Sequence, residues 1–404
     1  MGQSTVTGAG LGPEVVDVPA VGEVAATGDT SLPYRLLDGA GAEIGPVSEF
    51  LRELVAGDCA PSTCRSYAFD LLRWFRLLDA LGVGWERAGR GEVREMVTWL
   101  RCAPNPQRRR SRPEAPAPGS VNERTGKAHL AEGYAPATIN HALSVVAGFY
   151  EFHLGQGRGP VLNPVPAPSR RGARVYAHHS PLEPFRSHRR APYRQKQRPG
   201  PPRSIPDELF DELFGALGCD RDRAIVSFYV SSGARPSELI GMCGQHVHWG
   251  QNLISVVSKG SRLLEQVPAS PDAFVYLALY LAQGPLAGPA EPLWWTRRGP
   301  RRPLNYMAMR AVLDRANAQL GTNLTLHDLR HTCAARPVAD PAMSLTDVQA
   351  VLRHRHLSST EIYTRARLAD IVEKVQAHYA RPAPAPAPAS GYDPECLRIV
   401  FGAP

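Results

Sequence analysis

The chain has 404 residues, 46 Lys and Arg against 38 Asp and Glu, and a formal net charge of +8. That length suits two or three domains with real cores, and the lack of any apolar run near the roughly 18 residues of a bilayer span, or of a basic-then-apolar start, argues against a membrane span or secretory leader. Seven scattered cysteines (Cys59, Cys64, Cys102, Cys219, Cys243, Cys333, Cys396), with no Cys-x-x-Cys pair, suit reduced thiols in a soluble intracellular protein rather than a disulfide framework.

Residues 1–33 are rich in Gly, Ala, Val and Thr without helical or strand period, and are expected to be disordered. From Val47 the pattern sharpens: Val47, Phe50, Leu51, Leu54 and Val55 follow helical spacing. A second helix is expected from Pro61 to Leu81, with Tyr67, Leu71, Trp74, Phe75 and Leu78 as core positions, and a third over Val93 to Leu100. A Pro- and Arg-rich insertion at 103–132 precedes a fourth helix from Pro136 through Ile139, Leu143, Val146 and Phe149 to Leu154. Residues 34–163 therefore read as a four-helix domain.

Residues 164–203 carry nine prolines, too many for a helix, and read as an extended linker. Within it, residues 170–203 hold ten Lys or Arg against the single acid Glu183, so most of the excess charge lies here. Such a stripe suits a polyanion, although a solvated Arg-rich tether has the same composition. A second domain is expected over 204–380, opened by a Ser204–Asp207 cap. Helices are expected at 206–217, 220–232, 272–283 and 306–320. A β-hairpin is expected from Asn252–Val257 and Arg262–Val267, with Lys259-Gly260 at its turn. The loop Arg297–Arg302 is basic, and serves either DNA contact or a solvated turn. Residues 381–404 form a Pro/Ala-rich tail ending in an apolar patch, Cys396 to Phe401, and are either disordered or a spacer that carries the patch to a neighbouring subunit. The fold class is mainly α with a small antiparallel β-sheet in an α+β second domain.

The stretch Thr325 to Tyr363 carries most of the chemistry. Thr325 with Asp328 is a capping-box start that puts His327 and Arg330 on one face of the first turns, placing cationic donors at a helix N-terminus, where anions bind. Ser344 with Asp347 starts a second helix with Val348, Val351 and Leu352 as its apolar stripe and His354 at its end, and Ser358 with Glu361 starts a third that carries Tyr363. A phenol with its usual pKa of ~10 attacks only where cations stabilise phenolate and transition-state charge. Upstream, Gly233-Ala234-Arg235-Pro236-Ser237-Glu238-Leu239 adds a second arginine and Ser258-Lys259-Gly260 a lysine.

These residues, in this order, resemble the tyrosine recombinases of the phage-integrase family. Its arginine before Ser-Glu-Leu, hairpin lysine, His-x-x-Arg-His, histidine of a Leu-Gly-His and late tyrosine match Arg235, Lys259, His327, Arg330, His354 and Tyr363. The resemblance implies a two-domain clamp, with residues 34–163 as a core DNA-binding domain and 204–380 as the catalytic domain. It implies that Arg235 and Arg330 hold the scissile phosphate, Tyr363 attacks to give a 3′-phosphotyrosyl bond, Lys259 protonates the leaving 5′-oxygen, His327 acts as acid or base, and His354 donates to a phosphate oxygen. No cofactor, metal or ATP is expected, because the phosphodiester energy is kept in the covalent link. The implied partners are double-stranded attachment-site DNA, further copies of the chain in a tetramer built from free monomers, and an excision or host bending factor. The implied location is the cytoplasm, on the nucleoid.

Thr63, Arg65, Thr138, Asn140 and His141 stand in phrases similar to the family's core-binding domain and are candidate DNA-backbone contacts, as are Arg186, Arg189, Arg190 and Arg194 in the linker. The threonines serve equally as helix caps, and Arg65 as a solvated side chain. Arg353 stands where the family has glycine, so either the turn avoids positive φ or the arginine gains a phosphate contact that offsets strain; the flanking of His354 by Arg353 and Arg355 favours DNA contact. The segment Pro337 to Met343 also lacks the family's usual glycine. Two alternatives remain. One is a DNA-binding protein of this fold without catalysis. The other is a metal hydrolase using His327 and His331, four apart, although Asp328 and Arg330 suit it poorly.

Overall fold

The computed structural model describes residues 16–106, 116–167, 191–197, 204–258, 262–284, 288–340, 342–353, 376, 380 and 393–402. They divide into two compact units, the first comprising Met1–Val121 with Lys127–Pro199 and the second Asn122–Gly126 with Gly200–Pro404.

The first unit has an antiparallel hairpin, β1 (Glu23–Ala26) and β2 (Tyr34–Leu37), and four helices: α1 (Gly45–Ala56), α2 (Pro61–Ala80), α3 (Arg90–Cys102) and α4 (Pro136–Gly155). Pro61 and Pro136 open α2 and α4, where a missing N–H costs nothing. The Glu92 carboxylate accepts the Gly89 N–H at 2.7 Å and caps α3. Trp74 and Phe75 pack in the core, as their spacing predicts. Trp74 Nε1 donates to Tyr150 Oη at 3.1 Å, and that hydroxyl donates to Trp85 O at 3.0 Å, so both buried polar groups are satisfied.

The hairpin corrects the expectation of disorder for the part of residues 1–33 that the structure describes, from residue 16 on. Its strands have four residues each, too short to show a period, yet Leu36 is fully buried against the helices. The linker is not a free tether throughout either. Asn140 holds residue 195 by two bonds, Nδ2 to Gln195 O at 3.0 Å and Gln195 N–H to Oδ1 at 2.7 Å. Arg194 donates to Asn140 O at 2.9 Å and to Ser144 Oγ at 2.8 Å, so residues 191–197 are latched onto α4.

The second unit is built around α6 (Asp220–Ser232), which is buried on almost every side and packs against α8 (Pro271–Leu281) and α10 (Leu326–Ala339). Around it lie α5 (Asp207–Gly215), α7 (Pro236–Ile240), α9 (Tyr306–Leu320) and α11 (Leu345–Leu352). A three-stranded antiparallel sheet runs β3 (Val247–His248), β4 (Leu253–Val257), β5 (Leu264–Pro268), pairing Val257 with Leu264. Both hairpin strands thus begin one or two residues later than the sequence pattern suggests. The 103–132 insertion is split: Arg124 donates to Leu320 O at 2.8 Å and pairs with Glu212 at 2.6 Å, which places Asn122–Gly126 in the second unit. Within the tail read as either disordered or a spacer, a final helix, α12, spans Pro394–Phe401; Asp393 caps it, accepting the Glu395 N–H at 3.0 Å. Among the described residues, no helix is long and apolar enough to cross a membrane.

Candidate active site

The end of α6, the start of α7, the end of α11 and the interior of α10 meet at Gly233. It terminates α6 in the left-handed region, φ 59° and ψ 17°, which glycine adopts without strain. A Cβ there would lie 2.9 Å from Leu352 Cδ2 and 3.1 Å from Cys333 Sγ, so the close packing of α6, α10 and α11 also requires glycine. Two residues on, Arg235 is the N-cap of α7, and Pro236 follows at its first position.

Arg330 projects from α10 into this junction and is 8% exposed. Its Nη1 donates to Gly233 O and its Nη2 to Leu352 O at 2.9 Å, tying α6 to α11. Burial, then the neighbouring Arg235 charge, pushes the guanidinium pKa below its ordinary value, though it remains protonated at neutral pH. The partners of these two terminal nitrogens are neutral carbonyls.

Glu238 is a buried acid of the junction, with a side chain 1% exposed. Its Oε1 accepts Arg235 Nη1 at 2.8 Å, while its Oε2 accepts the Arg235 N–H at 2.8 Å and Arg353 Nη2 at 2.6 Å. Burial opposes ionisation, but the Arg235 N–H, the Arg353 charge and the Arg235 guanidinium outweigh it and hold the carboxyl below the usual range. Glu238 stands in the sequence motif, yet the motif alone assigns it no role. The signal that marks it is the N-cap spacing, a Glu three residues after Arg235.

Arg353 is placed differently from the expected DNA contact. It does take the left-handed turn, φ 53° and ψ 46°, as C-cap of α11, at a cost of about 1 kcal/mol for a residue with a Cβ. Its side chain, however, is 9% exposed and turned inward onto Glu238. A charge-assisted hydrogen bond contributes about 1.5–3 kcal/mol, enough to offset that strain. The arginine's compensating partner is thus a carboxylate of its own chain.

His327 is exposed on the first turn of α10, and the Thr325–Asp328 capping box forms as expected: Asp328 Oδ2 accepts the Thr325 N–H at 2.8 Å and the hydroxyl at 2.7 Å. The His327 and His331 rings stand edge to face, centroids 4.2 Å apart. Among the described residues no third His, Cys, Asp or Glu joins them in a group that could hold a metal. Ser344 and Asp347 form the α11 capping box, with the Ser344 N–H donating to Asp347 at 2.8 Å. Burial pushes the Cys333 thiol up to about 11, making it a packing residue. At the hairpin, Ser258 N–H donates to Leu263 O at 2.9 Å and Arg262 N–H to Ser258 O at 3.0 Å. Lys259, His354 and Tyr363 lie outside the described residues.

The structure separates the candidates in the first unit. Thr63 and Thr138 are half-buried in the first turns of α2 and α4, while Arg65 is exposed with its guanidinium 5.3 Å from the Phe69 ring centroid. His141 is tied through Nδ1 to the buried Asp70 at 2.5 Å, with 47% of its side chain exposed. Asn140 and Arg194 hydrogen-bond within the chain: Asn140 Nδ2 donates to Gln195 O, and Arg194 Nη1 donates to Asn140 O. Arg186, Arg189 and Arg190 lie outside the described residues.

Residues 213–369 match the family model described as "Phage integrase family". The chain is 27% identical over 327 residues to tyrosine recombinase XerD of Pseudomonas aeruginosa, covering 77% of this chain and 90% of that protein. It is 26% identical over 254 residues to tyrosine recombinase XerC of Azotobacter vinelandii, covering 61% and 75%. Among solved structures, the Tn1549 transposon integrase (residues 82–397) in complex with circular intermediate DNA aligns with a TM-score of 0.53 at 13% identity, covering 83% of this chain and 99% of that one. A lambda integrase (75–356) dimer bound to a core site aligns with a TM-score of 0.53 at 15% identity, covering 80% and 95%. At these identities the likeness to the solved structures is one of fold.

Proposed function

The chain belongs to the tyrosine recombinase family and is a site-specific recombinase, and from that premise we propose that it cuts and rejoins DNA through a 3′-phosphotyrosyl bond on Tyr363, integrating or excising a mobile element. The observation that carries this reading is the charge balance at Gly233. Arg330 is buried beside Arg235, and its two terminal nitrogens are bonded to neutral carbonyls, while the Glu238 carboxylate is engaged by Arg235 and Arg353. A buried cation whose hydrogen bonds go to neutral groups is costly, and a phosphate brought between Arg235 and Arg330 would give it a directly bonded anion. Donors fixed before the reaction stabilise the extra negative charge of a pentacoordinate phosphorane without reorganising.

In this reading Tyr363 attacks in line, Lys259 gives its proton to the departing 5′-oxygen, His327 moves a proton as acid or base, and His354 donates to a phosphate oxygen. The phosphodiester energy stays in the tyrosyl ester, so the reverse step needs no ATP and no metal. Two duplexes exchanged strand by strand require four copies of the chain, assembled on DNA from monomers, with an excision or bending factor setting direction. Such a protein works in the cytoplasm on the nucleoid. Incubation with a nicked suicide duplex in excess chelator tests the proposal. A covalent protein–DNA adduct is expected, whereas cut DNA with free ends and no adduct would favour the metal hydrolase.

The first unit and the linker would supply sequence-independent backbone contacts. Thr63, Arg65, Thr138 and His141 keep that assignment, and Arg186, Arg189 and Arg190 join them as phosphate neutralisers. Replacing those three arginines with glutamine is expected to weaken binding to all duplexes alike and to flatten the slope of log K against log salt by about 0.9 for each phosphate that is no longer neutralised. Titrations at several salt concentrations measure this, and an unchanged slope would make the segment a passive tether. Asn140 and Arg194 are left intact in that experiment because they hold residues 191–197 on α4.

A further inference from the structure

The carboxylate of Glu238 is divided between two arginines. Its Oε1 takes one terminal nitrogen of Arg235, and its Oε2 takes the Arg235 N–H and the terminal nitrogen of Arg353, the residue that precedes His354 in the chain. An arginine beside a free carboxylate pairs in the bidentate fork, with both arms engaged. Here Oε2 is already occupied, and among the described residues Arg235 gives Glu238 Nη1 alone, with no hydrogen bond from its second terminal nitrogen or from Nε. The occupancy also fixes charge. With Arg353 in place the trio is net positive; without it, Arg235 and Glu238 would cancel. Arg353 is held where its backbone is strained, and its Nε and Nη1 are enclosed without hydrogen-bond partners among the described residues, so neither backbone comfort nor full hydrogen bonding accounts for its placement. The Glu265 carboxylate, 3.9 Å from Nε, adds an outer ion pair on the same side.

We infer that Arg353 is a positioning residue of the strand-transfer site: by occupying the second oxygen of Glu238 it prevents that carboxylate from clamping both arms of Arg235, leaving Arg235 charged and available to the phosphate. This rests on the recombinase reading above. It also places the chain turn at residue 353 under the control of the same carboxylate that aims Arg235.

The test measures the rate of covalent adduct formation on the nicked suicide duplex as a function of protein concentration, together with the melting temperature, for Arg353→Gly, Glu238→Gln and the double variant. Arg353→Gly is expected to lower the maximal rate about tenfold or more, with half-saturation changed less than about twofold. Its melting temperature should fall little, because glycine relieves the left-handed turn that the ion pair otherwise offsets. Adding Glu238→Gln to Arg353→Gly is expected to recover most of the rate, since a neutral amide no longer clamps Arg235, which gives a coupling that a purely structural role would not produce. Should Arg353→Gly fail to fold, Arg353→Asn, a residue type that tolerates this turn, gives the same comparison. An Arg353→Gly rate equal to wild type overturns the inference, as does a loss that Glu238→Gln fails to recover; in both cases the recombinase reading stands. Absence of any adduct from the wild-type chain overturns that reading and this inference with it.

Discussion

Arg330→Lys is expected to lower the rate of covalent adduct formation by on the order of 10²–10³ while leaving duplex affinity within a few-fold of wild type at fixed salt. The positive charge survives this substitution, so counter-ion release and the electrostatic share of binding are nearly unchanged. What is lost is the fork. Arg330 bridges the carbonyls of Gly233 and Leu352 and still has three further N–H donors on the same plane, whereas an ammonium is a single point that cannot reach both carbonyls and a phosphate together. Losing two hydrogen bonds of about 0.5–1.5 kcal/mol each should also lower the melting temperature, by roughly 2–4 °C per kcal/mol for a unit of this size. Single-turnover capture and thermal unfolding on the same preparation check both parts. A lysine variant that cleaves at the wild-type rate would mean that the phosphate is held elsewhere.

Much of the junction was legible because it is written in local patterns. The capping boxes Thr325–Asp328 and Ser344–Asp347 announce the starts of α10 and α11 within four residues of sequence, and the first sets the helical register that carries Arg330. The apolar spacing of Val47 to Val55 and of Tyr67 to Leu78 likewise marks α1 and α2, because a helix repeats every 3.6 residues whatever its tertiary partners. The partner of Arg353 was not legible in this way. Glu238 lies 115 residues upstream, and an ion pair across that separation leaves no periodic trace. With glycine expected at 353, an arginine there invited a partner outside the chain.

The same limit explains the other corrections. Asn140 and Arg194 look like phosphate ligands in isolation, yet Arg194 donates to the Asn140 carbonyl 54 residues away and the Asn140 side chain holds the backbone of Gln195. Asn122–Gly126 sits inside a Pro- and Arg-rich insertion, and its membership of the second unit depends on the carbonyls of Leu320 and Gly321, the end of a helix far along the chain. Two four-residue strands give too short a run for alternation to register, and their burial comes from α1 and α2.

Tyr363→Phe is the change with the largest expected effect, because it removes one oxygen and leaves the ring. A phenol of pKa ~10 is a weak nucleophile in water, and the proposed chemistry depends on bringing that oxygen to the cationic junction of Arg235 and Arg330. Neither arginine can replace it, since guanidinium groups stabilise charge but do not form the ester. The DNA contacts proposed for the first unit and for the two arginines do not involve the phenol oxygen, so affinity should stay near wild type. The decisive measurement is capture of a labelled nicked suicide duplex by the two proteins side by side, in chelator and without ATP, resolved under denaturing conditions. The wild-type chain is expected to accumulate a covalent adduct and the Tyr363→Phe chain none, with equal binding of the duplex beforehand; an adduct persisting in the phenylalanine variant, or absent from both proteins, would contradict the account.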